Sequence, residues 1–478
     1  MTTLVWFRQD LRTADNPALV HAAARGKIVP VFILDDAAPG PDWPLGGASK
    51  WWLHHSLQAL TIDLGGLLLL RGDPKSVLLR IAKESGAKAV VWNRRYEPGK
   101  LANDRSIESA LVEQHLGVST FNGSLLHEPG EVATGSGGPY KVFSPFWRAC
   151  LQRPLGMPMA VPKLDIVAPS SKGDRLDDWA LLPKKPNWAA GWEELWTPGE
   201  AGALAQLDAF LENGLLGYGE LRNRPDLPNV SRLSPHFHWG EVSPRLAITR
   251  ARFAADADEA KRGDADKFIS EIGWREFACH LLHHFPTLPE QNWKPSFNAY
   301  PWRESTADLE AWQRGRTGYP MVDAGMRELW HTGTMHNRVR MIVASFLIKH
   351  LRIDWRRGEA WFWDTLLDAD LASNSASWQW VAGSGADAAP YFRIFNPLSQ
   401  GTKFDPNGDY VRRWCPELSR LPDTYLHVPF EAPAEILTGA GVVLGQTYPR
   451  PIVDHAEARK AALAGYAAVK AAIDSAPP

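Results

Sequence analysis

Short apolar runs alternate with amphipathic stretches through the first third of the chain. Residues 3–7, 28–34, 67–71, 89–93 and 119–122 are mostly apolar and bounded by turn residues, which predicts buried strands. Between them apolar residues recur at three- and four-residue spacing, the period of a helix. Start signals stand at Asn16-Pro17, Ser49 and Asp73-Pro74, where a capping side chain precedes the segment and proline twice takes the first helical position. Strand and helix alternating in this way predict a parallel, doubly wound sheet. The turn after the first strand, residues 7–16, has no glycine, so the G-x-G-x-x-G cradle of ordinary dinucleotide domains is absent. From about 130 to 197 the pattern gives way to Pro, Gly, Ser and Lys with isolated Trp, the composition of a long connector running over a surface. Helical periodicity then returns over 200–213, 266–284, 307–315, 322–332, 336–351 and 359–367, and in an Ala-rich tail from 456. The reading is an α/β domain over 1–130, a connector over 131–196 and an all-α domain over 197–478.

Composition narrows the function classes. The chain has 478 residues, 45% hydrophobic and 22% charged, with 52 basic against 54 acidic side chains and a net charge of -2, so it is a globular chain with several cores rather than a disordered one. Any nucleic-acid binding must therefore come from a local basic patch. Three cysteines, Cys150, Cys279 and Cys415, are too few and too dispersed for a disulfide framework or an all-cysteine cluster, which suggests a reducing compartment. The first residues carry no secretory pattern and no run reaches the ~18 apolar residues of a membrane span, so a cytoplasmic location is expected. The 22 Trp against 7 Met raise a question, because an indole can pack, stack on a base or carry an electron.

The local basic patch is the stretch 336–357, with Lys or Arg at 338, 340, 349, 352, 356 and 357 against Asp354 alone. In a helix Asn337 and Met341 share one face, an amide beside a soft thioether; a solvated basic helix is the plainer reading. Asp364, Asp368, Asp370 and Asn374 suggest a calcium loop, but Ser373 stands at the required glycine and Gln379 at the final glutamate. Those carboxylates could instead accept hydrogen bonds from a polar ring system or pair with an arginine, Asp368 with Arg340 for example. The pairs His54-His55, His236/His238 and His283-His284 lack metal-site spacing, so surface or core roles and no metal are expected. No G-x-S-x-G elbow or Walker A sequence occurs. What remains is arginine interleaved with aromatics: Trp274-Arg-Glu276, Trp378-Gln-Trp380 and residues 391–395 near Lys403 and Arg412-Arg413, able to stack bases and hold phosphates or to build a Trp-rich core.

Taken in order, Leu4–Asn16, Ser231-Arg-Leu-Ser234, Trp274-Arg-Glu-Phe277, Gly318–Asp323, Met335–Met341, Asp370-Leu-Ala-Ser-Asn374, Trp378-Gln-Trp380 and Asp387–Pro397 resemble the DNA photolyase and cryptochrome family, most closely the class I cyclobutane pyrimidine dimer photolyases. The resemblance implies an N-terminal antenna-type sheet joined by a long linker to a helical FAD- and DNA-binding domain. It implies that Tyr218, Ser231, Leu233 and Ser234 lie around the FAD phosphates and ribitol, with Phe268 and Arg275 nearby. Asn337, Arg340, Asp368 and Asp370 would lie closer to the isoalloxazine, with Asn374 facing its N5. Val230 departs from the family, where many relatives carry a hydroxyl residue.

The activity so implied is light-driven repair, in which reduced FAD passes an electron to a flipped-out pyrimidine dimer and takes it back; flipping is the general solution for photolyases. Trp274 and Trp380 would sandwich the flipped bases, Glu271 and Asn337 would bond their edges, and Met341 would touch them. Arg222, Arg338, Arg393 and Gln400 would hold the flanking phosphates of UV-damaged DNA, making affinity salt-dependent. Trp302, Trp355 and Trp378 would form an electron chain from surface to flavin. A (6-4) photolyase typically has a second histidine where Asn337 stands, and a cryptochrome photoreceptor without repair activity is the other alternative. Gly99-Lys100 stands where folate-binding relatives have Asn-Glu, and Pro289-Glu290 replaces a Cys-Lys pair. That disfavours methenyltetrahydrofolate as antenna and leaves 8-hydroxydeazaflavin, another flavin or none. A monomer without an obligatory protein partner is expected.

Overall fold

The computed structural model describes residues 1–35, 43–167, 172–388 and 392–474. Five strands, β1 (Thr2–Phe7), β2 (Lys27–Leu34), β3 (Leu68–Arg71), β4 (Ala89–Asn93) and β5 (Gly117–Phe121), form one parallel sheet in the order β3-β2-β1-β4-β5. Helices on its faces bury β1, β2 and β4 almost completely, which is why these strands read as continuous apolar runs; the edge strand β5 is only half-buried. The connecting helices are α1 (Pro17–Ala23), α2 (Gly47–Asp63), α3 (Pro74–Ser85) and α4 (Pro98–Glu113). Asn16 caps α1 by accepting the Leu19 N–H and Asp73 caps α3 by accepting that of Ser76, each followed by proline. Ser49 does not cap α2. The chain already turns at Gly46, and Ser49 is a buried residue of the first helical turn.

The glycine-free turn after β1 is a buried polar knot. Arg8 forks onto Asp104 at 3.0 and 2.9 Å and reaches the Asn93 carbonyl at the end of β4. Asn93 donates to Asp10 at 2.6 Å and to Asn16 at 2.8 Å. Arg12 donates to the carbonyls of Asp15, Gly123 and Gly240. Burial pushes the Arg8 guanidinium down to about 10, and it lies 4.3 Å over the Trp6 ring. The crevice where strand order reverses, between β1 and β4, is thus lined by the chain's own charged side chains.

The stretch from 130 to 197 is not a surface connector. It contains α5 (Phe143–Leu151), whose Phe143, Phe146, Trp147 and Cys150 recur at helical spacing and are buried. Trp179, Trp192 and Trp196 enter the core beneath the sheet, where Trp192 meets Trp51 and Trp196 meets Trp52 of α2, and Trp179 meets Phe32 of β2. Isolated tryptophans amid Pro and Lys have no period, so only the three-dimensional packing shows them to be core. Residues 168–171 of this stretch lie outside the described residues.

The chain divides into two compact units. The first comprises Met1–Gly219, Val230–Pro286 and Leu367–Ala372, the second Glu220–Asn229, Thr287–Leu366 and Ser373–Pro478. This division differs from one at 196–197, because the helices Glu200–Ala209, Pro244–Ala257 and Arg262–His284 group with the sheet. Buried bonds tie them there: the Glu200 carboxylate accepts the Thr13 and Ala14 N–H groups, and Glu241 accepts Trp52 Nε1 at 2.9 Å. The second unit is helical, with Thr306–Gln313, Pro320–Thr332, Asn337–Ser345, Trp355–Thr365, Pro397–Phe404 and the tail helix His455–Asp474 as its main elements. The helix starting at Asn337 widens into a π turn at 346–350. No described helix is long and apolar enough to cross a membrane.

Candidate flavin and DNA site

In the first unit, Tyr218 and Phe268 form an aromatic cluster with Phe210, with ring centroids 4.9 to 6.0 Å apart. Asp264 fixes the turn beside it by accepting the Gly217 and Gly219 N–H groups at 2.7 Å each. Ser231 is half-buried, with its carbonyl held by Gln206; Leu233 is fully buried; Ser234 is exposed at the start of the short helix Ser234–His238. Val230 offers no hydroxyl ahead of them.

Arg275 and Asp370 act electrostatically on two buried groups to which sequence reasoning assigned no site role. One is His238, which burial holds below its usual range despite the raising fields of Asp370 and Asp368. Its Nδ1 has no hydrogen-bond partner among the described residues. The other is Cys279, whose thiol is pushed up first by burial and then by Asp370. Arg275 donates to the Ser124 carbonyl at 2.7 Å and lies 3.4 Å from Glu276. Glu276 lies in the Trp274–Phe277 motif, which gave it no role of its own. It is buried, accepts the Leu126 N–H at 2.8 Å, and is pushed up to about 7 by desolvation.

Glu271 and Trp274 stand one turn apart on the helix Arg262–His284. Glu271 pairs with Lys267 at 2.9 Å. Trp274 is 36% exposed, unusual for a ring otherwise set among aromatics.

In the second unit, Asn337 and Met341 lie on the accessible side of their helix, while Val339, Ile342 and Val343 are buried. The basic stretch does not form one solvated face. Lys349 is buried, donates to the Ala382 carbonyl and sits 3.3 Å from the Phe392 ring centroid, with burial driving its amine well down. Arg356 is turned onto Asp354 and the Glu290 carbonyl. Arg340 donates to the Met335 carbonyl at 2.7 Å. Positive charge concentrates at the start of the stretch, where the Arg338 guanidinium is lowered by burial and then by the charges of Arg222 and Arg393. Its Nη2 is oriented by Asn223 at 2.6 Å. Burial and the Arg340, Arg338 and Arg222 charges push His336 down to about 4, so it adds no charge of its own. Arg393 and Gln400 border a groove of about 430 Å³ together with Asn396, Ser399 and Arg459. Residues 389–391 of the expected motif lie outside the described residues.

Asn374 is buried and donates from Nδ2 to the Glu359 carbonyl at 3.0 Å. Glu359 is fully buried; one oxygen accepts from Ser375 at 2.6 Å, the other has no partner among the described residues, and desolvation raises the carboxyl to about 8. Trp378 packs so closely on Gly358 that an added Cβ would lie 2.1 Å from the indole. Its ring neighbours include Phe362 at 5.0 Å and Trp312 at 6.3 Å. Trp355 is buried and donates to Asn292 at 2.9 Å, and the half-buried Trp302 stacks obliquely on Tyr300 at 4.5 Å. Trp380 is half-buried and donates to the Asp387 carbonyl at 3.1 Å.

A protein 54% identical over 98% of both chains is the deoxyribodipyrimidine photo-lyase of Agrobacterium fabrum. The chain belongs to the DNA photolyase and cryptochrome family. The family profile for DNA photolyase matches residues 3–164, and that for the FAD binding domain of DNA photolyase matches 268–468. Cryptochrome-2 of Arabidopsis thaliana is 38% identical over 96% of this chain and 77% of its own length. A solved bacterial class III photolyase from Agrobacterium tumefaciens superposes with a TM-score of 0.94 at 52% identity, covering 98% of each chain. The parallel sheet and helical FAD-binding region are thus those of a photolyase-family protein. In the first unit the residues present fit FAD: hydroxyls at Ser231 and Ser234 and the orphaned His238 Nδ1, under the fields of Asp368 and Asp370, are polar groups suited to a phosphate-bearing, hydrogen-bonding cofactor.

Proposed function

We propose that this photolyase-family chain repairs cyclobutane pyrimidine dimers in DNA as a deoxyribodipyrimidine photo-lyase. The likeness to the Agrobacterium class III structure favours class III, in place of the class I suggested by the motifs. The observation that carries the reading is Trp274, an indole with an open face one turn from the Glu271 carboxylate. An apolar ring face beside a polar edge suits a base that has left the stack. Trp380, Asn337 and Met341 complete the lesion-contacting set, and the arginines Arg222, Arg338 and Arg393, with Gln400, take the flanking phosphates. Arg338, whose charge is opposed by those of Arg222 and Arg393, gains from a nearby anion.

Bound FAD, reduced, supplies the electron under blue light and receives it back. The protein's part is to hold it through Tyr218, Ser231, Leu233, Ser234, Phe268, Arg275, Arg340, Asp368 and Asp370 and to exclude water. Asn374, its NH2 committed to the Glu359 carbonyl, presents its Oδ1 as acceptor to a protonated ring nitrogen. Trp302, Trp355 and Trp378 carry electrons inward by steps.

Repair of a thymine-dimer duplex by the reduced holoprotein under blue light and in darkness, with a (6-4) duplex in parallel, tests the reading. Light-dependent loss of the cyclobutane lesion alone is expected. Repair of the (6-4) lesion alone reassigns the substrate, and repair of neither by FAD-loaded protein makes the chain a photoreceptor of the cryptochrome kind.

A further inference from the structure

Trp274 does not stand alone. The Phe143 ring at the start of α5 lies parallel to the indole, with centroids 3.8 Å apart and planes 10° from parallel. Trp147, one turn later on the same helical face, lies parallel to Phe143 in its turn, at 6.4 Å and 11°. Three rings are therefore stacked in the order Trp147, Phe143, Trp274. Phe277 meets the edge of the indole at 6.0 Å and 75°. The stack depends on Gly273, because a Cβ there would lie 2.6 Å from the Trp147 ring. Phe143 is only 8% exposed while Trp274 is 36% exposed. One indole face and part of its edge are thus covered, and the exposed area lies on the opposite face.

We propose that Phe143 is a positioning residue for lesion recognition, a role that rests on the reading of Trp274 as the platform for a flipped base. A lone tryptophan on a helix exterior would sample several rotamers and could fold back onto its own surface. Each alternative must be given up before a base can stack, and ordering one such side chain on binding is a measurable penalty. Phe143 removes that penalty in advance. It occupies the rear face, holds the ring plane and leaves the front face open. α5 thus serves the site from a segment whose sequence looks like linker.

The test compares dark binding of the FAD-loaded protein to a thymine-dimer duplex and to the same duplex undamaged, for Phe143→Leu, Phe143→Met, Phe143→Tyr and Trp274→Leu. Leu and Met keep apolar bulk but lose the flat ring. Each should reduce the ratio of the two affinities roughly three- to tenfold, the range of one aromatic stacking pair, while binding to undamaged DNA and FAD content stay unchanged. Tyr, which keeps the ring, should restore the ratio. A wild-type ratio in both Leu and Met variants would overturn the role, as would equal weakening on both duplexes, which is a merely structural effect. If Trp274→Leu itself leaves the ratio unchanged, the reading of Trp274 fails instead.

Discussion

Glu359 offers a perturbation whose sign follows from burial. Its carboxyl is fully buried behind Asn374 and raised to about 8 by desolvation, with Ser375 opposing the rise through one hydrogen bond. In the unfolded chain the same group ionises near the ordinary glutamate value. Between those two values the folded protein holds a proton that the unfolded chain has released, so stability is full below the unfolded pKa and declines as pH rises to about 8. Each pH unit in that window is worth ~1.4 kcal/mol, which sets a ceiling of about 5 kcal/mol. Relaxation around the carboxyl and water entry in the ionised state would bring the realised loss to roughly half of that. Glu359→Gln keeps an oxygen for Ser375 and cannot ionise. Unfolding rates of FAD-loaded protein, measured from about pH 5 to about pH 9, should rise steeply in the wild type and less so in the variant, which becomes the more stable of the two at the alkaline end. Glu276, raised to about 7 for the same reason, leaves some slope in both proteins. Parallel pH profiles would show that Glu359 is ionised at neutral pH and would refute the argument.

Three further perturbations probe the structure. Gly358→Ala puts a Cβ 2.1 Å from Trp378 and 2.7 Å from Leu347, and Trp378 is only 2% exposed, so overpacking should cost about 1–3 kcal/mol and slow photoreduction; a wild-type melting midpoint and photoreduction rate would count against this packing. Asp104→Ala leaves Arg8 buried without its main anion and should destabilise by about 3–5 kcal/mol, read from denaturant midpoints, whereas a loss below ~1 kcal/mol would mean that water reaches the knot. Trp378→Phe should slow light-driven flavin reduction while chemically reduced enzyme still repairs DNA; equal loss of both activities would place Trp378 at the substrate or flavin instead of on a wire.

Features whose cause is local were legible in the sequence. The strands of a parallel sheet are buried on both faces, so their apolar runs identify them wherever the chain goes, and a cap such as Asn16 or Asp73 bonds to a group three residues away. The helical periods at 322–332 and 359–367 were legible for the same reason. Family motifs supplied the candidate site residues that no period reveals, Asn374 and Trp274 among them. Tertiary structure alone decided the rest. Lys349 belongs to a charge run in the sequence and to the interior in the fold, because Ala382 and Phe392 arrive to cover it. The 4–16 motif proved to be a knot of hydrogen bonds and an Arg8–Asp104 ion pair, with partners nearly a hundred residues away at Asn93 and Asp104. Phe143 carried no signal, since it sat in apparent linker, and Glu276 lay inside the Trp274–Phe277 motif with nothing local to mark it as a buried, raised carboxyl. A side chain's burial, pKa and stacking partner are set by groups distant in sequence, and local pattern holds no record of which groups those will be.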